Sequence, residues 1–339
     1  MLKLELYKIF KRKLVWIVFL GVFLLVFISD AMYIKNFCFN SSERNKLQYQ
    51  LEKFESYKGK LTDERLEEFI GNYIQEEYDY LHDFMDDGKA VPVKKLFPHT
   101  DFDIHFGYFK LWALYFGDFT KYIKYICAFI VVAFSPIFSY EKESGMQEIL
   151  LSTKNGRRKC TRAKVAAAFL VTNVMYLLVI ALGLPPIFIL TKGIGADTSI
   201  QMTPWLMSSQ LNVNYLTLLL HAVFMSFIAI NVILLITLCV SFLAKNPMVS
   251  MCVCMGVLLA LRPDVMATHV NIDIINKITS ISPLNAIDCE NLADQLPITI
   301  AGIKIQWIYI VEVLYCMLLA GGGIFFTRVL TKNQKYYAS

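Results

Sequence analysis

Six apolar stretches recur along this chain, and nothing else in the sequence constrains its fold so tightly. They run from Leu14 to Ile34, Tyr122 to Tyr140, Val165 to Leu190, Leu216 to Ala244, Met248 to Leu261 and Ile305 to Thr327. Crossing about 30 Å of hydrocarbon takes roughly 20 helical residues, and most of these runs reach that length. The fifth is short and ends at Arg262-Pro263. Any one run alone fits the buried helix of a soluble protein, but six in one chain do not. Hydrophobic residues make up 56% of the chain and charged residues only 18%, against roughly 25% charged in a soluble domain. The expected class is therefore an all-α polytopic membrane protein with about six transmembrane helices, and not a soluble enzyme.

The cations give the expected orientation. Lys3, Lys8, Lys11, Arg12 and Lys13 precede the first run. Lys142, Lys154, Arg157, Arg158, Lys159, Arg162 and Lys164 lie between the second and third. Lys245 lies between the fourth and fifth, and Arg328, Lys332 and Lys335 follow the sixth. An even number of spans puts all four clusters on one side, which the positive-inside rule makes the cytoplasm. Both termini are then cytoplasmic, in a multi-pass protein of the cell (plasma) membrane. A cleaved signal peptide is the rival reading of the N-terminus, but Ser29-Asp30-Ala31 is a poor cleavage site and the apolar run is long for an h-region. Residues 1 to 13 form an amphipathic segment, with Leu2, Leu6, Ile9 and Phe10 on one helical face. Such a helix lies in the headgroup plane of the bilayer with its cations towards anionic lipid; an ordinary basic cap on the first span is the plainer reading.

Three parts follow: residues 1–34, the interfacial helix and first span; residues 35–120, an extracellular domain; and residues 121–339, the remaining spans. Residues 35–120 hold 16 of the 28 acidic residues and 11 of the 33 Lys and Arg, so this part is acidic while the remainder is basic. Thr62, Asp63 and Glu64 form a helix start, with a hydroxyl cap and then carboxylates at the positive dipole end. A small, mostly helical external domain is expected there. Residues 263–304 carry Pro263, Pro283 and Pro297 among apolar residues. They are too broken to span and too apolar for a free loop, which fits short re-entrant or interfacial helices before the sixth span.

No nucleotide-binding G-x-x-x-x-G-K-[ST] loop, H-E-x-x-H, C-x-x-C or G-x-S-x-G occurs. His99, Asp101, Asp103 and His105 alternate so that all four share one face of an extended chain. A weak candidate metal site and a half-buried strand both produce that pattern. Cys38 and Cys289 are the two of eight cysteines that map to the external side, which makes them a candidate disulfide. Glu312, His221, Asn173 and Asn231 lie within spans, where polar groups are costly. For Glu312 a place on a substrate path, an outward-reaching carboxylate and an inter-helix hydrogen bond are all open; for the other three, helix packing is expected. Ser135-Pro136 and Pro185-Pro186 interrupt two spans.

The segment after the second span reads Tyr140-Glu-Lys-Glu-Ser-Gly-Met-Gln-Glu-Ile-Leu-Leu-Ser-Thr-Lys. It resembles the cytoplasmic loop of bacterial ABC type-2 transporter permeases, in which acids, a glycine and a Leu-Leu-Ser/Thr run precede a basic turn and a lysine. The matching residues are Glu141, Glu143, Gly145, Glu148, Leu150, Leu151, Thr153, Arg157, Arg158 and Lys164; Lys154 stands where the family often has proline. The layout of helices resembles the family over nearly the whole chain. The resemblance implies an ABC exporter permease that moves an amphipathic substrate (an antimicrobial peptide, drug or lipid) outward. It implies two permease chains, identical or different, and separate cytoplasmic ABC ATPase subunits, with ATP and Mg held on those partners and no cofactor in this chain. It further implies that loop 141–164 is the coupling element, with Glu141, Glu143, Gly145, Glu148, Leu150 and Leu151 on the helix that meets the ATPase. A solvated basic connector is the plainer reading of the loop. A non-transporting membrane sensor or assembly subunit, with the external domain as receptor, is the alternative function. Nothing points to nucleic acid as a partner.

Overall fold

The computed structural model describes residues 1–39, 52, 109–146, 159–203, 206, 209–260, 277, 279–300 and 303–332. The expected external helices of residues 62–84, the His99 to His105 cluster, and coupling-loop residues Glu148, Leu150 and Leu151 lie outside them.

Helix α1 spans Leu2–Lys11. Arg12 has extended backbone geometry and separates it from α2, Lys13–Phe39. The Trp16 indole donates to the Phe10 carbonyl at 2.7 Å and braces the joint. Helix α3, Phe109–Phe134, stops at Ser135, and α4, Pro136–Glu143, starts with the proline. The proline ring has no N–H to continue the ladder. The Ser135 carbonyl is taken up by the hydroxyls of Ser139 at 3.1 Å and Ser250 at 2.8 Å. A second proline break separates α5, Thr161–Gly183, from α6, Pro185–Thr191. Helix α7 is Tyr215–Leu243, α8 is Pro247–Ala260 and α9 is Cys289–Asp294. Strands β1, Ile298–Ile300, and β2, Ile303–Ile305, pair antiparallel, and α10 is Trp307–Lys332.

Among the described residues five helical runs are long and apolar enough to cross a membrane: Lys13–Met32, Leu111–Glu143, Thr161–Thr191, Tyr215–Leu243 and Trp307–Ile324. The expected span from Met248 to Leu261 is α8, a helix of 14 residues. The described part of that run covers about 21 Å at 1.5 Å per residue. The second span begins earlier than expected. Asp118 and Lys121 depress hydropathy before Tyr122, yet Leu111, Trp112, Tyr115, Phe116 and Phe119 are all buried on one helical face. Residues 109–120 are therefore the first turns of α3, continuous with the second span and packed into the bundle from Leu111 on.

Helix α7 is the axis of the bundle and packs against α3, α4, α5, α8, α9 and α10. It is apolar on every side, although Leu216, Leu220, Phe224 and Phe227 form an exposed face. Hydrogen bonds supplement packing, since apolar area alone does not distinguish helix from lipid. Asn173 on α5 and Asn231 on α7 each donate an amide N–H to the other, at 3.2 and 3.1 Å. Each donates its second N–H to the carbonyl four residues back, both at 2.7 Å. The packing role expected of these two residues is what the geometry supports.

The described part of the segment before α10 packs back onto the bundle and is not purely helical. The Tyr315 hydroxyl donates to the Ile281 carbonyl at 2.7 Å, about 12 Å along α10 from its start. Pro283 and Leu284 sit against Ile233 and Thr237 of α7. Ala286 and Ile287 are fully buried. The outer part is the β1–β2 hairpin, where helices alone were expected.

Gly183 lets the Tyr122 ring of α3 pack closely against α5. A Cβ there would stand 3.0 Å from both Cδ2 and Cε2 of Tyr122, while the Gly183 carbonyl accepts the Tyr115 hydroxyl at 2.8 Å. Gly183→Val should therefore cost about 1–3 kcal/mol through overpacking. The check is thermal unfolding of the purified protein; a variant that melts with the wild type would mean that the Tyr122 ring is free to swing aside.

Candidate functional site: an ion-paired junction at the basic end of the bundle

Helices α7 and α10 run parallel, because His221 meets Glu312 near their starts and Gly322 approaches Leu235 farther along. Lys142 of α4 donates to the carbonyl of Phe242 near the end of α7 and lies over its ring. Glu141 reaches both α1 and α5. The described members of the four basic clusters therefore gather at one end of the bundle, as the sequence pattern requires.

Glu141 is the centre of that end. One carboxylate oxygen pairs with Lys164 of α5, a side chain only 3% exposed. The other lies 3.7 Å from Lys8 of α1. Lys8 also pairs with Glu5 at 2.9 Å. Three helices are thereby fastened by one alternating set of charges: Glu5, Lys8, Glu141 and Lys164. The Lys8 ammonium is held above its ordinary pKa: burial works against the charge, but the hydrogen bond to Glu5 and the fields of Glu5 and Glu141 outweigh it. The Cys160 thiol, 3.9 Å from Glu5, is pushed up by burial, with Lys164 pulling the other way. Arg12 completes the junction, donating to the Ala133 carbonyl at 3.4 Å and lying 6.0 Å from the Tyr140 ring centre.

Glu143 and Gly145 follow at the end of α4. Gly145 has a φ of +68°, a left-handed conformation that ends the helix cheaply only with glycine. The burial of Glu5 in α1 was not expected. Leu2, Leu4, Tyr7 and Phe10 are exposed while Glu5 and Ile9 face the bundle. The sequence put Ile9 on the same face as Leu2 and Phe10; the structure turns the glutamate inward, where Lys8 and Cys160 receive it.

A second polar site lies near the opposite end. His221 Nδ1 and Glu312 Oε1 are 2.6 Å apart, with side chains 20% and 12% exposed. Tyr309 stacks edge-on against the His221 ring, 5.5 Å between centroids. An inter-helix hydrogen bond was one of the plainer readings of Glu312 and packing the expectation for His221; the structure makes the two residues each other's partners. Two ionisable residues of complementary type, each about two turns from the outer end of its span, were the available signal. Asp30 is a site residue the sequence reading did not single out. It is buried in α2 and accepts the Tyr122 hydroxyl at 2.7 Å. Cys289 is a buried free thiol, and the side chain of Cys38 is outside the described ones. Among the described residues, no three His, Cys, Asp or Glu side chains gather as a metal site would require.

No curated protein and no solved structure matches the chain. The family model described as ABC-2 family transporter protein matches residues 1–293, which include α1, the Glu141 junction and the spans around them. The chain belongs to the ABC-2 transporter family.

Proposed function

We propose that this permease subunit exports an amphipathic substrate outward, and that the Glu141 junction couples it to ATP hydrolysed by a separate subunit. A chain without a nucleotide loop must receive work through a contact. The observation that carries the reading is the position of Glu141. It opens the coupling segment, and its carboxylate binds both α1 and α5. A push on residues 141–151 by a docked ATPase then moves α4 together with the interfacial helix and the third span. Charged groups at such a contact set register, while the apolar Leu150 and Leu151 supply affinity.

The basic end is the cytoplasmic end in this reading, because the Lys and Arg clusters all belong to it. The substrate path includes Glu312, paired with His221 and flanked by Tyr309 in the outer third of the bundle. A carboxylate beside an aromatic ring suits the cationic and apolar parts of an amphipathic molecule. A second permease chain, identical or related, completes the path. Purifying the tagged chain from its native membranes should bring an ABC ATPase with it in near-stoichiometric amount. Cys placed at Lys154 or Arg158 should be labelled from the inside only. A chain that purifies without any ATPase would favour the sensor or assembly role instead.

A further inference from the structure

Between α1 and α4 lies an open cleft of about 530 Å³. Its polar lining is Lys8, Lys11, Arg12 and Lys13 together with Glu5 and Glu141. The two carboxylates are already answered, Glu5 by Lys8 and Glu141 by Lys8 and Lys164. Among the described residues, no carboxylate lies within ion-pair reach of Lys11, Arg12 or Lys13. Among the described residues, three consecutive cations thus line the cavity without an ion-pair partner. Arg12 is held there by the Ala133 carbonyl and the Tyr140 ring, so its position is fixed by the fold.

The remainder of the lining is apolar and includes Leu14 and Pro136. The cleft sits where the interfacial helix turns into the first span. Tyr7, 63% exposed, and Trp16, 45% exposed, belong to the two helices that meet at this turn, and exposed aromatic side chains suit headgroup depth. We propose that this cleft binds the phosphate-bearing headgroup of an anionic phospholipid, with Lys11, Arg12 and Lys13 on the phosphate and the apolar wall against the start of the acyl chains. A soluble phosphate has the same charge but no use for that wall. Tyr140 and Glu141 form one side of the cleft, so an occupied cleft stiffens the start of the coupling segment. Assignment of this end to the anionic cytoplasmic leaflet rests on the orientation proposed above.

The test uses the full chain, purified in a neutral detergent, with thermal unfolding as the readout. Dioctanoyl phosphatidylglycerol should raise the melting temperature and dioctanoyl phosphatidylcholine should not. Lys11 and Lys13 are both exposed, so Lys11→Gln/Lys13→Gln should fold normally. At about fivefold per surface cation, that double variant should need about 30-fold more phosphatidylglycerol for the same shift. An unchanged response in the double variant, or equal protection by phosphatidylcholine, would overturn the site. Equal protection by inorganic phosphate alone would overturn the lipid assignment. None of these arms contains an ATPase, so loss of the transport reading would show separately, in the purification from native membranes.

Discussion

Replacing Lys164 by Met is expected to destabilise the purified protein by about 3–5 kcal/mol, the range for stripping one partner from a buried ion pair. Lys164 is 3% exposed and Glu141 13% exposed, so water does little to replace the lost partner. Lys8 remains, but at 3.7 Å and itself half exposed, it offsets only part of the loss. Glu141→Gln/Lys164→Met removes both charges and should regain most of the stability, since a buried pair contributes little net against neutral groups of similar shape. The comparison of single and double variants by thermal unfolding isolates the pair from the packing of Lys164 over the Phe138 ring, 5.2 Å away. Equal melting of the wild type and Lys164→Met would show that the junction holds nothing together. The double variant also tests function: it should be stable in the membrane yet poorly coupled.

The second large effect belongs to the outer pair. His221→Phe leaves the Glu312 carboxylate without its 2.6 Å partner inside the apolar belt. Leaving a buried acceptor without its partner costs about 1–3 kcal/mol, and the variant should lose a comparable amount of stability. Glu312→Gln keeps an acceptor for the His221 N–H and should cost less than about 1 kcal/mol. Under the proposed function it should nonetheless lower export, because a cationic group loses its counter-charge. Export is read as the tolerance to cationic amphipathic peptides that the permease confers on cells, and protein level as the membrane-inserted amount. Unaltered tolerance in a well-inserted Glu312→Gln strain would remove the residue from the path and leave the pair a purely structural one.

Membrane class was legible because apolar runs report directly on the solvent a chain must face. Boundaries were less so. Asp118 and Lys121 masked the first turns of α3, although the buried positions from Leu111 to Phe119 keep helical spacing. The Ile298, Ile300, Ile303 and Ile305 alternation was strand-like, yet the prolines nearby drew attention to broken helices. The Glu141 junction was half legible. Glu141 and Lys164 were singled out and Glu5 was not, and that Glu141 meets Lys8, far away in the sequence, depends on how α1 folds back on the bundle. Asp30 escaped notice because one carboxylate hardly alters the hydropathy of a long run, while its Tyr122 partner is set by the packing of α2 on α3.

The central claim is that residues 141–151 carry the contact with an ATPase. The most direct test is to purify the tagged chain from native membranes as wild type, as Leu150→Ala/Leu151→Ala and as Glu148→Lys, and to measure the ATPase that accompanies each and its ATP turnover. Losing two apolar anchors from an interface of this kind should cost more than about 2 kcal/mol, so the Leu variant should retain well under a tenth of the ATPase. The Glu148 variant should keep the partner but lose stimulation of hydrolysis by substrate. Full ATPase retention and unchanged turnover in both variants, at normal membrane levels of the chain, would contradict the account.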